Sequence, residues 1–323
     1  MGWLILKYFL VGGAGFIGSH VTKHILSLRE NVVIYDNFSS GNEWHLESVL
    51  KNGDLKIIRG DIKDFDLLES AMEGSDIVYH FAANPDISKA VTQPDIDFWE
   101  GTYLTNNVLE AMRKNKIKKM IYTSGSGVYG EVGAAQVKES FPDMKPISTY
   151  GASKLACEAL ICSYCHMFDM NAAAFRFANV VGPNQTHGVG YDFVLRLLKD
   201  KTKLSILGDG SQDKSYIYID DVISAMKLIE DGHLKGFEVY NVGTLDSITV
   251  TEIAQLVVEI LGLKNVCFKY TGGDRGWKGD VPIIKLDSSK IRDLGWENKL
   301  TAQQAMHKSV SSIHEDALLN RFA

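Results

Sequence analysis

Two groups of residues have types and spacings that could carry chemistry. The first is a glycine-rich stretch that directly follows an apolar segment and matches G-x-x-G-x-x-G at Gly12, Gly15 and Gly18. Glycine permits a tight turn and lets the backbone approach a pyrophosphate. The helix that should follow points its free N–H groups and positive dipole end at such phosphates. Because an apolar strand precedes the glycines and a helix follows them, the stretch predicts a dinucleotide site.

A carboxylate further along the chain narrows the choice of cofactor. Asp36 ends the second apolar run, about 20 residues beyond the glycines, where a carboxylate binds the adenosine ribose hydroxyls. The same carboxylate repels a 2′-phosphate, and no Arg or Lys lies within residues 37–41. The pattern therefore favours NAD over NADP.

The second group is Tyr150 and Lys154, four residues apart in the predicted first turn of a helix. Residues at this spacing share one helix face. An ammonium beside a phenol favours the phenolate, which can take a proton from a hydroxyl while a hydride leaves the same carbon. The alternative is an ordinary surface pair, and the upstream dinucleotide motif favours the functional interpretation.

Alternating strand and helix patterns must position these groups. Apolar runs predict strands over 4–11, 31–36, 55–59, 76–81, 119–123, 172–176, 215–219 and 239–242. Helical spacing predicts helices over 16–28, 67–72, 104–114, 149–167, 192–199, 220–230, 253–261 and 301–319. The alternation indicates an α/β protein with a Rossmann-type, doubly wound parallel sheet and a smaller, mixed α/β C-terminal domain. We expect a cofactor domain over 1–177, to which about 211–247 return, and a second domain over 178–323.

Composition excludes several classes of protein. The chain has 323 residues, 45% of them hydrophobic, and a net charge of −6, which excludes disorder and makes a nucleic-acid partner unexpected. Four cysteines form no disulfide framework, so a reducing, cytoplasmic setting is the default. No apolar stretch is long enough to span a membrane, and the histidines show no metal-ligand spacing.

Several motifs together resemble the extended short-chain dehydrogenase/reductase family. They are, in chain order, GGAGFIG, Asp36, Asp61-Ile62, HFAA, VYG, YGASK and RFAN. The resemblance covers essentially the whole chain and is greatest to NAD-dependent nucleotide-sugar epimerases of the UDP-glucose 4-epimerase branch. It implies reversible oxidation at the sugar C4 through a transient 4-keto sugar, a UDP-hexose substrate and a homodimer formed through the helices near 104–114 and 149–167.

The resemblance also implies which residues form the site. For catalysis it implies Tyr150 and Lys154, with Ser126 and then Ser124 as candidate hydroxyl donors. The implied cofactor residues are Gly12, Gly15, Phe16, Ile17, Gly18, Asp36, Asn37, Ser39, Ser40, Gly41, Asp61, Ile62, Phe81, Ala82, Ala83, Tyr150, Lys154 and Phe177. The candidate substrate residues are Asn84, Ser126, Asn179, His187, Tyr191, Phe193, Lys214 and Arg275. Core packing is the alternative for the two aromatic residues, and ordinary solvated charge is the alternative for the two cations.

Two positions depart from the family's pattern. Gly125 stands where relatives carry a Ser or Thr that polarises the reacting oxygen, and Gly101 stands where they carry an Asn that stabilises a backbone kink. Ser126-Gly127 also replaces the Asp-Glu pair of sugar dehydratases, so dehydration is not expected. The prediction is a UDP-glucose/UDP-galactose 4-epimerase. The alternatives are another nucleotide-sugar oxidoreductase, such as a 4-keto reductase or dehydrogenase, and a weakly catalytic NAD-binding protein.

Overall fold

A computed structural model describes residues 5–277 and 279–322. The strands are β1 (Lys7–Val11), β2 (Asn31–Asp36), β3 (Leu55–Arg59), β4 (Ile77–His80), β5 (Lys119–Gly125), β6 (Gln136–Val137), β7 (Asn171–Phe177), β8 (Asn179–Val181), β9 (Lys203–Ile206), β10 (Asp213–Lys214), β11 (Tyr216–Tyr218), β12 (Phe237–Val242), β13 (Ile248–Thr249), β14 (Cys267–Tyr270) and β15 (Ile283–Leu286).

The α-helices are α1 (Phe16–Ser27), α2 (Phe65–Met72), α3 (Leu104–Lys114), α4 (Thr149–Phe168), α5 (Val189–Lys199), α6 (Ile219–Gly232), α7 (Val250–Ile260), α8 (Ser289–Arg292) and α9 (Ala302–Leu318). A π-helix over Phe98–Tyr103 runs directly into α3. Short 3-10 turns cover Glu43–Leu46, Ile87–Val91 and Ser126–Tyr129.

The first of two compact units contains the described residues up to Gly125, together with Thr149–Arg176 and Ile223–Tyr240. Its centre is a seven-stranded parallel sheet in the order β12-β7-β5-β4-β1-β2-β3, flanked by helices. The order reverses next to β1, and ligands of doubly wound sheets bind beyond the strand ends at such a point. Buried apolar side chains from the strands and from α2, α3 and α4 form one core.

The second unit contains Ser126–Ser148, Phe177–Val222 and the described residues from Asn241 onward. Its strands form small sheets: β13-β10-β15-β6, β11-β8 and β14-β9. The β10–β13 pair is antiparallel and the β10–β15 pair is parallel, so the four-stranded sheet is mixed. A separate core gathers apolar side chains of α5, α7 and α9.

The Rossmann-type fold class is confirmed, and most predicted elements are present within a few residues. The first strand begins at Lys7, and residue 4 of its predicted span lies outside the described residues. Helix α2 begins two residues earlier than predicted because the Asp64 carboxylate caps it, accepting a hydrogen bond from Leu67 N at 3.2 Å. The short strands β9, β14 and β15 were not predicted, because four residues carry too little periodicity to indicate a strand.

Candidate functional site

The glycine turn joins β1 to α1 and depends on glycine at two positions. Gly12 has φ +79°, and a Cβ there would lie 2.8 Å from the Ala82 nitrogen. At Gly18 a Cβ would lie 2.3 Å from the Gly12 carbonyl oxygen, so the loop can pack on the helix only without a side chain. At Gly15 the nearest atom to such a Cβ is the same oxygen at 3.4 Å, which leaves room beside this residue.

Helix α1 presents its N-terminus at this turn. Gly15 is the N-cap residue and provides no side-chain oxygen for the first-turn amides, and that turn contains no acidic residue. The N–H groups of Phe16, Ile17 and Gly18 therefore meet the requirement for binding a pyrophosphate. Gly12, Gly15 and Gly18, the predicted phosphate-binding residues, lie together in the turn that precedes α1.

Asp36 lies at the end of β2, beside the turn, and is 8% exposed. Its carboxylate accepts hydrogen bonds from Ala14 N at 2.9 Å and Phe38 N at 2.8 Å. Burial raises the pKa of Asp36, and these two amides and the charge of Arg59 oppose that shift. The Arg59 guanidinium lies 4.3 Å from the Phe38 ring centroid, so an aromatic face and a cation stand beside the predicted ribose carboxylate.

The other predicted cofactor residues line the same strand ends. Asn37 Nδ2 donates to Asp61 Oδ2 at 3.3 Å, and the segment containing Ser39, Ser40 and Gly41 leads into Asn42, whose N–H donates to the Ala14 carbonyl at 3.1 Å. The backbone N–H groups of Phe81 and Ala82 both donate to the Val11 carbonyl, which brings residues 81–83 next to the turn. Ile62 and Phe177 are buried, with 6% and 5% exposure, and Ile62 belongs to the core of the first unit.

Tyr150 and Lys154 lie on the first turns of α4, as predicted. Lys154 is 4% exposed, and its Nζ donates to the Thr123 carbonyl at 2.7 Å, the one hydrogen-bond acceptor it has among the described residues. The same nitrogen lies 5.5 Å from the Tyr150 ring centroid and 4.9 Å from that of Tyr122. A buried ammonium needs more acceptors than one carbonyl, so Lys154 suits the ribose hydroxyls of a dinucleotide. The Tyr150 hydroxyl has no hydrogen-bond partner among the described residues.

His80 ends β4 and is fully buried. Its Nε2 lies 3.0 Å from Thr105 Oγ1. Burial lowers the pKa of His80 to about 3, and the nearby Lys154 charge acts in the same direction. The imidazole is therefore neutral near pH 7 and packs beside the site without adding a positive charge to it.

The two candidate serines differ in what their hydroxyls do. Ser124 is 6% exposed and donates to Glu158 Oε1 at 2.6 Å, and Arg176 Nη2 donates to Glu158 Oε2 at 2.6 Å. Ser124 therefore belongs to a buried ion-pair network. The half-buried Ser126 follows β5, and its hydroxyl has no hydrogen-bond partner among the described residues. A Cβ on Gly125 would meet no atom within 4 Å.

In the second unit, the two predicted phosphate-binding cations converge on Asp280. Lys214 Nζ lies 2.6 Å from Asp280 Oδ1, and Arg275 Nη1 donates to the Asp280 carbonyl at 3.4 Å. Arg275 Nη2 also lies 2.6 Å from Glu131 Oε1. These cations are paired rather than freely solvated, and a diphosphate would have to compete with the carboxylates.

The remaining substrate candidates of the second unit differ in exposure. Asn179 Nδ2 donates to the Ser215 carbonyl at 3.2 Å, and His187 is exposed. The half-buried Tyr191 stacks edge-on with Phe322, with centroids 5.0 Å apart. Phe193 is 3% exposed within the core, so the packing alternative describes it.

Asn84, in the first unit, is 5% exposed, and hydrogen bonds within the chain occupy its amide. Its Nδ2 donates to the Asp86 carbonyl and to Asp97 Oδ1, both at 2.9 Å, and its Oδ1 accepts from Asp86 N. The side chain therefore organises the loop after β4.

Sequence reasoning missed several polar residues next to these candidates. They are Asp97, Thr149, Ser153, Glu158 and Glu131. A capping-type Thr directly before Tyr150 was the one local signal, whereas nothing in the sequence around Asp97 points to its partners.

Within residues 5–277 and 279–322 there is no group of three or more His, Cys, Asp or Glu side chains placed to hold a metal ion. Among those same residues no helix is both long and apolar enough to cross a bilayer.

Comparison with known proteins shows the family of this chain. Residues 8–243 match the model of the NAD dependent epimerase/dehydratase family. A putative UDP-glucose 4-epimerase of Methanocaldococcus jannaschii is 30% identical over 308 residues, covering 94% of this chain and 96% of the relative.

Solved structures show the same similarity. A crystal structure of a UDP-galactose 4-epimerase superposes with a TM-score of 0.86 at 34% identity, covering 96% of this chain and 99% of the other. A dTDP-glucose 4,6-dehydratase of Streptomyces venezuelae with NAD bound has a TM-score of 0.89 at 25% identity, covering 97% and 98%. The family match and the neighbours solved with NAD bound show that the cofactor is NAD. The chain is therefore a member of the NAD-dependent epimerase/dehydratase family of nucleotide-sugar enzymes.

Proposed function

We propose that this protein is a nucleotide-sugar 4-epimerase whose substrates are UDP-glucose and UDP-galactose. The observation that carries the proposal is the pair formed by the Tyr150 hydroxyl and the buried Lys154 ammonium, at the strand ends that carry the dinucleotide motif. Among the described residues, the Tyr150 hydroxyl has no hydrogen-bond partner. The alternative within the family is dehydration. It is disfavoured because Ser126 and Gly127 precede Val128-Tyr129-Gly130, where elimination of water needs acidic groups.

The proposed mechanism gives each residue a defined role. The Tyr150 phenolate removes the proton from the C4 hydroxyl. NAD, held by the glycine turn and Asp36, would supply the hydride chemistry at C4 in both directions. Lys154 stabilises the phenolate electrostatically and binds the nicotinamide ribose. Tyr150 then returns the proton to the carbonyl oxygen when the 4-keto sugar is reduced on its other face. A full cycle causes no net oxidation or reduction of the substrate.

Ser126 is the hydroxyl that we propose to polarise the reacting oxygen. Ser124 is engaged by Glu158, whereas the Ser126 hydroxyl has no hydrogen-bond partner in the part of the chain that the structure describes. We expect Ser126→Ala to lower kcat by about 10²-fold, the usual effect of removing one donor to a developing charge. Because a side chain at Gly125 meets open space, Gly125→Ser in the Ser126→Ala background should restore activity, and Gly125→Ala in that background should not.

Substrate binding is proposed for the second unit. Lys214 and Arg275 supply the positive charge that a diphosphate requires, and Asn179, His187 and Tyr191 are the further candidates for contact with the nucleotide sugar. Calorimetry with UDP tests this part independently of catalysis. Lys214→Met and Arg275→Met should each weaken UDP binding at least tenfold, and unchanged affinity in both variants would reject the assignment.

The deciding experiment is proton NMR of holoenzyme with a panel of nucleotide sugars and no added cofactor. An epimerase converts UDP-galactose to UDP-glucose with no net NADH, and Tyr150→Phe abolishes the conversion. Loss of water from dTDP-glucose would indicate a dehydratase, and accumulation of NADH would indicate a dehydrogenase. Absence of any conversion, with NAD still bound, would indicate a binding protein and would equally reject the proposal. UDP-N-acetylglucosamine and UDP-glucuronate in the same panel define the sugar specificity.

We also propose that the protein is a homodimer. Helix α4 exposes or half-exposes several apolar side chains, and the neighbouring π-helix exposes two aromatic ones. Met167 is 71% exposed, Phe98 51% and Trp99 46%, and exposed large apolar side chains on neighbouring helices are a feature of interaction surfaces. Sedimentation equilibrium should give twice the chain mass, and Met167→Glu should shift the equilibrium to the monomer.

A cytoplasmic location is proposed from the cysteines. Cys157, Cys162, Cys165 and Cys267 are all free thiols, a state that reducing compartments maintain. Burial raises the pKa of Cys165 to about 12, so that thiol is protonated and unreactive. Fractionation of cells that express the full chain tests the location.

A further inference from the structure

Asp97 is a buried carboxylate that the reaction scheme above does not use. It is 1% exposed, and it forms no ion pair with a Lys or Arg among the described residues. Its Oδ1 accepts from Asn84 Nδ2 at 2.9 Å, and its Oδ2 accepts from Thr149 Oγ1 at 2.6 Å. Its main-chain carbonyl accepts from Ser153 Oγ at 2.7 Å. A charge buried without a cation must be compensated by hydrogen bonds, and these bonds join Asp97 to the first turn of α4.

A second contact joins the same turn to the π-helix that begins directly after Asp97. Ser153 Oγ lies 2.9 Å from Thr102 Oγ1, and a Cβ built on Gly101 would lie 2.3 Å from that Ser153 oxygen. Because Gly101 has no side chain, it leaves the space that the Ser153 hydroxyl occupies. The π-helix forms in this chain without an Asn at position 101. Instead, the Ser153 hydroxyl of α4 forms a hydrogen bond with the Thr102 hydroxyl of the π-helix.

The residues tied in this way flank the catalytic candidates. Thr149 immediately precedes Tyr150, and Ser153 immediately precedes Lys154. A carboxylate at the N-terminus of the 20-residue helix α4 is also favourable to the helix dipole. Two bonds on one helical turn restrict both its rotation and its translation, which sets the direction in which the phenol and the ammonium project.

We propose that Asp97 is a positioning residue that fixes the first turn of α4 through Thr149 and Ser153, and so orients Tyr150 and Lys154. The part of this inference that concerns catalysis rests on the proposed function. The part that concerns anchoring does not, because it follows from Asp97, Thr149 and Ser153 alone.

The experiment compares two substitutions of Thr149 in the holoenzyme. Thr149→Val removes the hydroxyl that donates to Asp97 and preserves the side-chain shape, whereas Thr149→Ser keeps the hydroxyl. We expect Thr149→Val to lower kcat by about 10- to 100-fold, as for a reacting group displaced by up to an ångström, with KM changed less than about twofold. Thr149→Ser should have kcat and KM values near those of the unchanged protein. Asp97→Ala should reproduce the Thr149→Val effect.

A matched control is Thr202→Val. Thr202 Oγ1 donates to Asp200 Oδ1 at 2.7 Å in an exposed loop, so this variant also removes a Thr–Asp hydrogen bond. It should leave kcat and KM unchanged. Thermal unfolding of every variant separates a loss of folded protein from a loss of positioning.

Hydrogen exchange provides a readout that does not depend on the substrate. The amides of residues 153–157 donate to carbonyls of the first turn of α4, so they should exchange faster in Thr149→Val and Asp97→Ala than in Thr149→Ser. Equal exchange in all three would overturn the inference, as would an unchanged kcat in Thr149→Val or a Thr149→Ser variant as slow as Thr149→Val. If the unchanged protein converts no nucleotide sugar, the proposed function fails, and the exchange data still decide whether Asp97 anchors the turn.

Discussion

The buried imidazole of His80 makes a quantitative prediction about acid stability. His80 is fully buried, and burial together with the Lys154 charge lowers its pKa to about 3. In the unfolded chain a histidine titrates near 6.5. As the pH falls below about 6.5, the unfolded state takes up this proton and the folded state does not. The stabilisation that neutral His80 gives the folded state is therefore complete above about pH 6.5, and it is lost progressively as the pH falls towards 3.

The magnitude follows from linkage. Between pH 7 and pH 5, one histidine that titrates at 6.5 only in the unfolded state reduces the free energy of unfolding by about 2 kcal/mol. Other groups also titrate in this range, so the quantity to measure is the difference between the unchanged protein and His80→Gln, which keeps a nitrogen for Thr105 Oγ1 but cannot be protonated. That difference should change by about 2 kcal/mol between the two pH values.

Urea unfolding at several pH values with saturating NAD measures this effect. His166→Gln, on the exposed surface of α4, controls for the loss of one histidine as such. A difference between the unchanged protein and His80→Gln that stays constant from pH 7 to pH 5 would refute the reasoning. It would mean that His80 accepts its proton in the folded state, and therefore that the burial of this side chain does not exclude charge.

Three further predictions concern the site. Gly18→Ala should abolish retention of NAD through gel filtration, because the new Cβ would lie 2.3 Å from a main-chain oxygen of the turn. A variant that still retains NAD would contradict this packing argument. Ser124→Ala should lower the melting temperature and leave kcat nearly unchanged, because the hydroxyl belongs to a buried ion-pair network. Ser126→Ala should instead lower kcat and leave the melting temperature nearly unchanged. The opposite pattern would exchange their roles. Glu131→Gln should tighten UDP binding several-fold in calorimetry, because Glu131 competes for Arg275 at 2.6 Å, and weaker binding would show that this carboxylate instead positions the guanidinium.

Gly125 and Gly101 illustrate how a departure from a family pattern should be interpreted. From the sequence, both positions predict weakened chemistry. In the structure the Ser153 hydroxyl occupies the space that a side chain at Gly101 would take, and it contacts Thr102 of the π-helix. Gly125 faces open space, and Ser126 is the residue that we propose to supply the missing hydroxyl. The distinction follows from what surrounds each missing Cβ, which the residue type alone does not reveal.

The amino-acid sequence by itself determined the cofactor turn, the parallel sheet and the Tyr150–Lys154 pair, because each is a local property. A glycine conformation, an apolar period and an i, i+4 spacing are all set by residues close together in the chain. The tertiary structure alone decided that the Ser124 hydroxyl is engaged by a carboxylate and that a buried carboxylate bonds to the first turn of α4. Ser124 meets Glu158 across 34 positions, and Asp97 meets Thr149 across 52. Such pairs are brought together by strand order and helix packing, and no local pattern encodes them.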